Sequence, residues 1–251
     1  MKKSLIAVSG LGAAAGFVLR RMQLANSFDA AGLLPRGDGI TMALNVLCAL
    51  AAALIVLLCL REPKREVPAL VGKRKRRGTL MIVGALGLLG SHMPPNFEGD
   101  IVGVVVLVLA FAAACTMAVE GVFQMQGQTA SLLGGCVLPV YLAVLLISDY
   151  RVWSQDPMVT DYCFKLLFLI SAMLSSYYLA AFCVGKGKRR ITAFYTACAI
   201  FFAGPVLADG GLRSVLHTLA LSIYLAAEFW PYLERPELPE EPEELEEQEE
   251  I

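Results

Sequence analysis

The sequence predicts an all-α bundle of membrane-spanning helices, and three observations lead there. Charged residues are 17% and hydrophobic residues 57% of the 251-residue chain, whereas a soluble globular chain carries about 25% charged residues. Mean hydropathy is +0.64. Several apolar runs approach or exceed the roughly 17–25 residues that cross a bilayer as a helix. The lipid core accepts only helices or closed barrels, and the alternating pattern of barrel strands is absent. A soluble enzyme, a nucleic-acid binder and a disulfide-stapled secreted domain are all poor fits.

Eight apolar segments follow one another: Ser4–Leu19, Ile40–Leu60, Thr79–Met93, Ile101–Val119, Ala130–Ser148, Tyr162–Val184, Ile191–Ala208 and Ser214–Trp230. The first begins after Lys2-Lys3 and contains Ala13-Ala14-Ala15, which resembles a signal peptide with its cleavage site. Its apolar run continues through Phe17-Val18-Leu19 to Arg20-Arg21, so a retained helix is expected. Cleavage would leave seven spans. The second span follows the turn signal Pro35-Arg36-Gly37-Asp38-Gly39. The third is short, at about 22 Å against a hydrocarbon core of roughly 30 Å, and Gly84, Gly87 and Gly90 weaken it as a free-standing helix.

Charge counting arbitrates, because cytoplasmic loops collect Lys and Arg. With eight spans and both termini inside, basic residues divide 15 inside to 5 outside. If the third segment does not cross, the division becomes 12 to 8. Eight spans are therefore expected, in a plasma membrane with both termini cytoplasmic. Pro139 and Pro205 are kink positions in the fifth and seventh spans.

Beyond the transmembrane domain, residues 1–233, lies an acidic segment, 234–251. It holds ten Glu against Arg235, while the rest of the chain has a net charge of +8. Pro236, Pro239 and Pro242 interrupt the glutamates, and so polar a segment is expected to be a disordered cytoplasmic tail. The connection 61–78 has the opposite character. Arg61, Lys64, Arg65, Lys73, Arg74, Lys75, Arg76 and Arg77 outweigh Glu62 and Glu66 by a net +6. This block is the candidate contact for anionic lipid headgroups, at about 1 kcal/mol per basic residue near the surface, or for the acidic tail.

Polar groups inside spans are the default functional candidates. Asn45, Lys165 and His217 fall near the outer ends of the second, sixth and eighth spans, and His92 closes the third. Together they define a candidate outer polar pocket, with Lys165 as the charge that attracts an anion. The structural alternative is that Lys165 snorkels to the interface and pairs with Asp161 on its own helix. Glu120 and Glu228 lie at inner span ends, where water or headgroups are expected to solvate them. The seven cysteines lie within spans and form no CxxC, so neither a disulfide framework nor a zinc site is expected. No other metal site and no cofactor is expected either.

Gly12 and Gly16 form a GxxxG pair, repeated in spacing by Ala110 and Ala114. Such pairs let helix backbones approach closely, within the chain or between chains in a homo-oligomer. HExxH, GxSxG and Walker motifs are all absent, so no enzyme is expected. Two function classes remain. One is a small-solute or ion transporter. The other is a scaffold, sensor or assembly subunit that recruits partners through its basic loop and acidic tail.

Overall fold

The structure, a computed structural model, describes residues 2–27, 38–61, 66–67, 74–93, 101–128, 131–154 and 159–233. The acidic segment 234–251 and Lys64, Arg65 and Lys73 lie outside the described residues. Eight α-helices are described: α1 (Lys2–Asn26), α2 (Gly39–Leu60), α3 (Lys75–Ser91), α4 (Ile101–Gln126), α5 (Leu132–Trp153), α6 (Val159–Ala180), α7 (Arg189–Ala208) and α8 (Leu212–Leu233). A two-residue antiparallel pair joins β1 (Glu66–Val67) to β2 (Gly187–Lys188), with Glu66 opposite Lys188.

Six helices are long and apolar enough to cross a membrane: α1, α2, α4, α5, α6 and α7. The other two, α3 and α8, are packed against each other. Helix α3 has 17 residues, about 26 Å, and starts within the basic connection. Arg213, His217 and Glu228 dilute the hydropathy of α8. The side chains facing away from the bundle are apolar, with Leu11 72% and Met42 69% exposed. Large outward apolar surfaces of this kind are foreign to soluble monomers. They are the surface of a membrane protein.

Helices α3 to α8 form a ring in chain order, each packed on the next, with α8 closing onto α3. Helices α1 and α2 form a hairpin outside it, packed along α7. Tyr141, Tyr224, Phe168, Leu142 and Leu169 are among the fully buried side chains of the ring helices.

Glycines set the close approaches of α3 to its two neighbours. A Cβ on Gly78 would lie 2.3 Å from the Gly121 carbonyl oxygen, and one on Gly84 would lie 2.9 Å from that of Ala220. The glycines that weaken α3 as an isolated helix thus fit it between α4 and α8. On the other side of the ring, the Gly12–Gly16 pair is used within the chain. Cβ atoms there would come within 2.8 Å of Phe201 and 3.0 Å of Pro205. Substituting Gly84 with valine is expected to cost about 1–3 kcal/mol by overpacking, read as a lower midpoint in thermal unfolding in detergent.

Helix α1 runs past Arg20-Arg21, where the sequence suggested an end. Arg20 is 2% exposed; its Nε donates to Asp209 at 2.6 Å and its Nη1 to Gln23 at 2.7 Å. The charge is met inside the protein, so the helix need not stop at water. The polar chain continues from Gln23 to Thr41, whose hydroxyl and backbone N–H both donate to Asp38 at the start of α2. Those bonds, the Thr41 hydroxyl foremost, hold the Asp38 carboxyl below its usual range. A depressed folded-state value means that the cap contributes stability above the ordinary carboxylate range and loses it as pH falls through the lowered value. Replacing Asp38 with asparagine is expected to flatten that acid limb in a pH series of melting midpoints.

The connection between α7 and α8 is Asp209-Gly210-Gly211, with the two glycines at φ +83° and +81°. Side chains would be strained at both positions, so glycine allows the chain to reverse there in minimal length.

Candidate functional site

Helix α8 carries polar groups at both of its ends, and each end meets buried partners from the other ring helices. At the α3 amino-terminal end, Arg77 is 7% exposed. Its Nη1 donates to Gln124 Oε1 at 3.1 Å and its Nη2 to the Glu228 carbonyl at 2.9 Å. The guanidinium therefore lies against the last turns of α4 and α8, where helix dipoles favour a cation. Arg77 Nε has no hydrogen-bond acceptor among the described residues.

Beside it, the Tyr224 hydroxyl donates to Glu120 Oε2, and Glu228 lies one turn further along α8. Both carboxylates are close enough to Arg77, and to each other, for their charges to interact. Glu120 is 3% exposed. Its other oxygen faces the first turn of α5, where a Cβ on Gly134 would lie 3.3 Å away. A helix amino terminus is a favourable neighbour for a carboxylate. Its position at a span end suggests water and headgroups as its surroundings; the structure instead encloses Glu120 between α4, α5 and α8. Position at a span end did not distinguish the two, because it says nothing of which way the side chain faces.

At the opposite end, the Tyr141 hydroxyl lies 2.9 Å from His217 Nε2 and 3.3 Å from His92 Nε2. The three rings meet edge to face, with centroids 5.9–6.2 Å apart. A direction follows from donor accounting. His92 Nδ1 lies 3.0 Å from the Ser91 hydroxyl and 3.1 Å from the Leu88 carbonyl; with the Ser91 hydrogen donated to that carbonyl at 2.7 Å, Nδ1 carries hydrogen and, in the neutral ring, Nε2 accepts. Tyr141 then donates to His92 and accepts from His217 Nε2–H. Proton order therefore runs from His217 through Tyr141 to His92.

Lys165 is near enough to His217 for their charges to interact. Its Nζ lies 3.0 Å from Asp149 of α5 and 5.0 Å from the centre of the Trp153 ring. The side chain of its expected partner, Asp161, lies outside those described. Because the Lys165–Asp149 pair is partly exposed, Lys165→Met is expected to change stability by about 1 kcal/mol or less, checked by thermal unfolding in detergent.

Of the outer candidates, His92, His217 and Lys165 come to one end of the ring. Asn45 does not join them: it is exposed on α2, whose main packing partners are α1 and α7. Of the basic block, Arg61, Lys75 and Arg76 are exposed and Arg74 is half-buried. Arg77, expected at the lipid surface with them, is instead inside the bundle, because α4 and α8 supply its acceptors. Among the described residues no group of three His, Cys, Asp or Glu converges as a metal site. Tyr141, Tyr224 and Asp149 were not singled out by sequence. The available signals were a phenol in the middle of an apolar run for Tyr141, and for Tyr224 the i,i+4 spacing to Glu228.

No protein-family model matches this chain, and neither a curated protein nor a solved structure matches it. The fold and the site define it by class alone, as a helical membrane protein with buried ionisable clusters.

Proposed function

We propose that the chain is a non-enzymatic membrane transporter of a small solute or ion, coupled to the charge state of the Glu120–Tyr224–Glu228 cluster. One observation carries this: two carboxylates, Glu120 and Glu228, lie near a single buried guanidinium inside an apolar bundle, Glu120 bound to Tyr224 and Arg77 to Gln124 and the Glu228 carbonyl. With both carboxylates ionised, the cluster holds one negative charge more than Arg77 neutralises. A proton or a monovalent cation balances it, and intramembrane ionisable groups commonly mark ion and proton pathways. The His217–Tyr141–His92 relay serves the other end of the same helix, roughly 16 Å away along the α8 axis.

In this arrangement all eight helices cross a plasma membrane, with α3 and α8 crossing as a mutually buried pair. Both termini are cytoplasmic. The 15 to 5 division of basic residues supports that orientation, as does the β1–β2 pairing, which holds both basic connections at one end. Cysteines placed at positions 70 and 188 are expected to react only from the cytoplasm, and one at 156 only from outside. Cytoplasmic labelling at 156 would overturn the eight-span arrangement.

The competing class is a scaffold, sensor or assembly subunit, favoured by the large side chains that fill the ring. Water access separates the two. Cysteines replacing Ala220 or Leu169 in a background without native cysteines are expected to react with a membrane-impermeant reagent from one face, to an extent that changes between pH 6 and pH 8. Absence of labelling from both faces at both pH values, in a folded protein, would favour the scaffold.

A further inference from the structure

A groove of about 300 Å³ lies between α2 and α6 with α7 as its floor, at the membrane end that carries the β1–β2 pair. Val56, Cys59 and Leu60 line one side and Tyr178 the other; Arg190, Ile191, Phe194 and Tyr195 complete it from α7. Its volume is at the lower edge of the range of small-molecule sites, about 300–1,000 Å³. We propose that this groove holds one acyl chain of an anionic phospholipid whose phosphate is bound by Arg190. This assignment is independent of any transport activity.

Three features point to that occupant. Val56 and Leu60 are exposed on the outward face of α2, so the groove opens toward the surface where lipid chains lie. Arg190 is the second residue of α7, which places its guanidinium at the end of the helix, where headgroups are found. A guanidinium matches a phosphate through paired N–H donors. Basic residues predominate around it: Arg61 follows Leu60 at the end of α2, and Lys188 and Arg189 precede Arg190, with Glu66 opposite Lys188 in the strand pair, while among the described residues no carboxylate lines the groove. Tyr178 and Tyr195 lie parallel and offset, with centroids 5.7 Å apart and planes within 5°. Such paired phenols suit the boundary between chain and headgroup. A neutral phospholipid could fill the apolar part equally well, but its positively charged headgroup would be set beside the arginine. The preference is therefore for a net negative headgroup.

Quenching by brominated lipid reads this directly. Trp153 and Trp230, the two tryptophans of the chain, are replaced by phenylalanine, and a reporter is introduced as Phe194→Trp. A control reporter, Val108→Trp, lies on the exposed face of α4. The protein is reconstituted into liposomes that mix dibrominated phosphatidylglycerol with unlabelled phosphatidylcholine, or the reverse. At the groove, the anionic lipid is expected to be preferred by about fivefold, the ratio that one basic residue near the surface supplies. Arg190→Gln should bring the ratio to about one, Arg190→Lys should keep part of it, and the control reporter should show little preference throughout. A groove ratio near one, or a ratio that Arg190→Gln leaves unchanged, overturns the proposal. If the tryptophan-free background does not fold, native mass spectrometry of the otherwise unaltered chain replaces it. There, a retained phosphatidylglycerol lost in Arg190→Gln supports the site, and equal retention by both proteins overturns it.

Discussion

Replacing Arg77 with methionine is expected to be the most damaging single change in the bundle, lowering stability by about 2–5 kcal/mol as two acceptors inside the bundle lose a charged donor. The substitution removes the guanidinium near Glu120 and Glu228 and leaves the Gln124 side-chain oxygen and the Glu228 carbonyl without their donor. Part of the cost comes from the two carboxyl groups losing their nearby cation, and that part can be tested. Adding Glu120→Gln and Glu228→Gln to Arg77→Met removes the stranded charges and should recover that part of the loss. The measurement is the thermal midpoint of each purified variant in one detergent at neutral pH. If the triple variant is no more stable than the single one, the electrostatic account fails.

The second large effect is expected at Gly204, where α7 meets α1. A Cβ there would lie 2.0 Å from the Ala13 carbonyl oxygen, so the obstacle is backbone, which cannot rotate away as a side chain can. Gly204→Val should therefore reach the upper part of the overpacking range, about 3 kcal/mol. It should also loosen the Arg20–Asp209 pair at the end of the same seam. Gly10 offers the comparison, since nothing lies within 4 Å of a Cβ built on it. Gly10→Val should leave the unfolding midpoint nearly unchanged. Similar midpoints for the two variants would contradict the close α1–α7 approach.

The helices were legible in the sequence where hydropathy alone specifies them. Helix α2 begins and ends within a residue of the apolar run Ile40–Leu60, because lipid contact along most of its length demands apolar side chains. Helix α1 was read too short. Arg20 marks the boundary with water only if nothing inside the fold can pair with it, and Asp209, far along the chain, does so. The same blindness hid the Arg77–Glu120–Glu228 cluster. Its members come from three helices and sit near span ends, where a sequence cannot distinguish a side chain facing headgroups from one facing another helix. His92 and His217 were found because histidine is rare in this chain; the tyrosine between them was not, because a phenol is common in apolar runs.

The pairing of α3 with α8 has a consequence for biogenesis. Arg77 and its acceptor on α8 are 151 residues apart, an interval of roughly 8–30 s at translation rates of about 5–20 residues per second. During that interval α3 has α4 beside it but no α8 against its glycine face, and its guanidinium lacks one acceptor. Chains truncated before residue 212 are therefore expected to hold α3 loosely, extractable by alkaline wash or cleaved by protease at its ends. The full chain should protect it. A bundle of this design is completed by one of its least apolar helices, which leaves the ribosome after the other seven described helices.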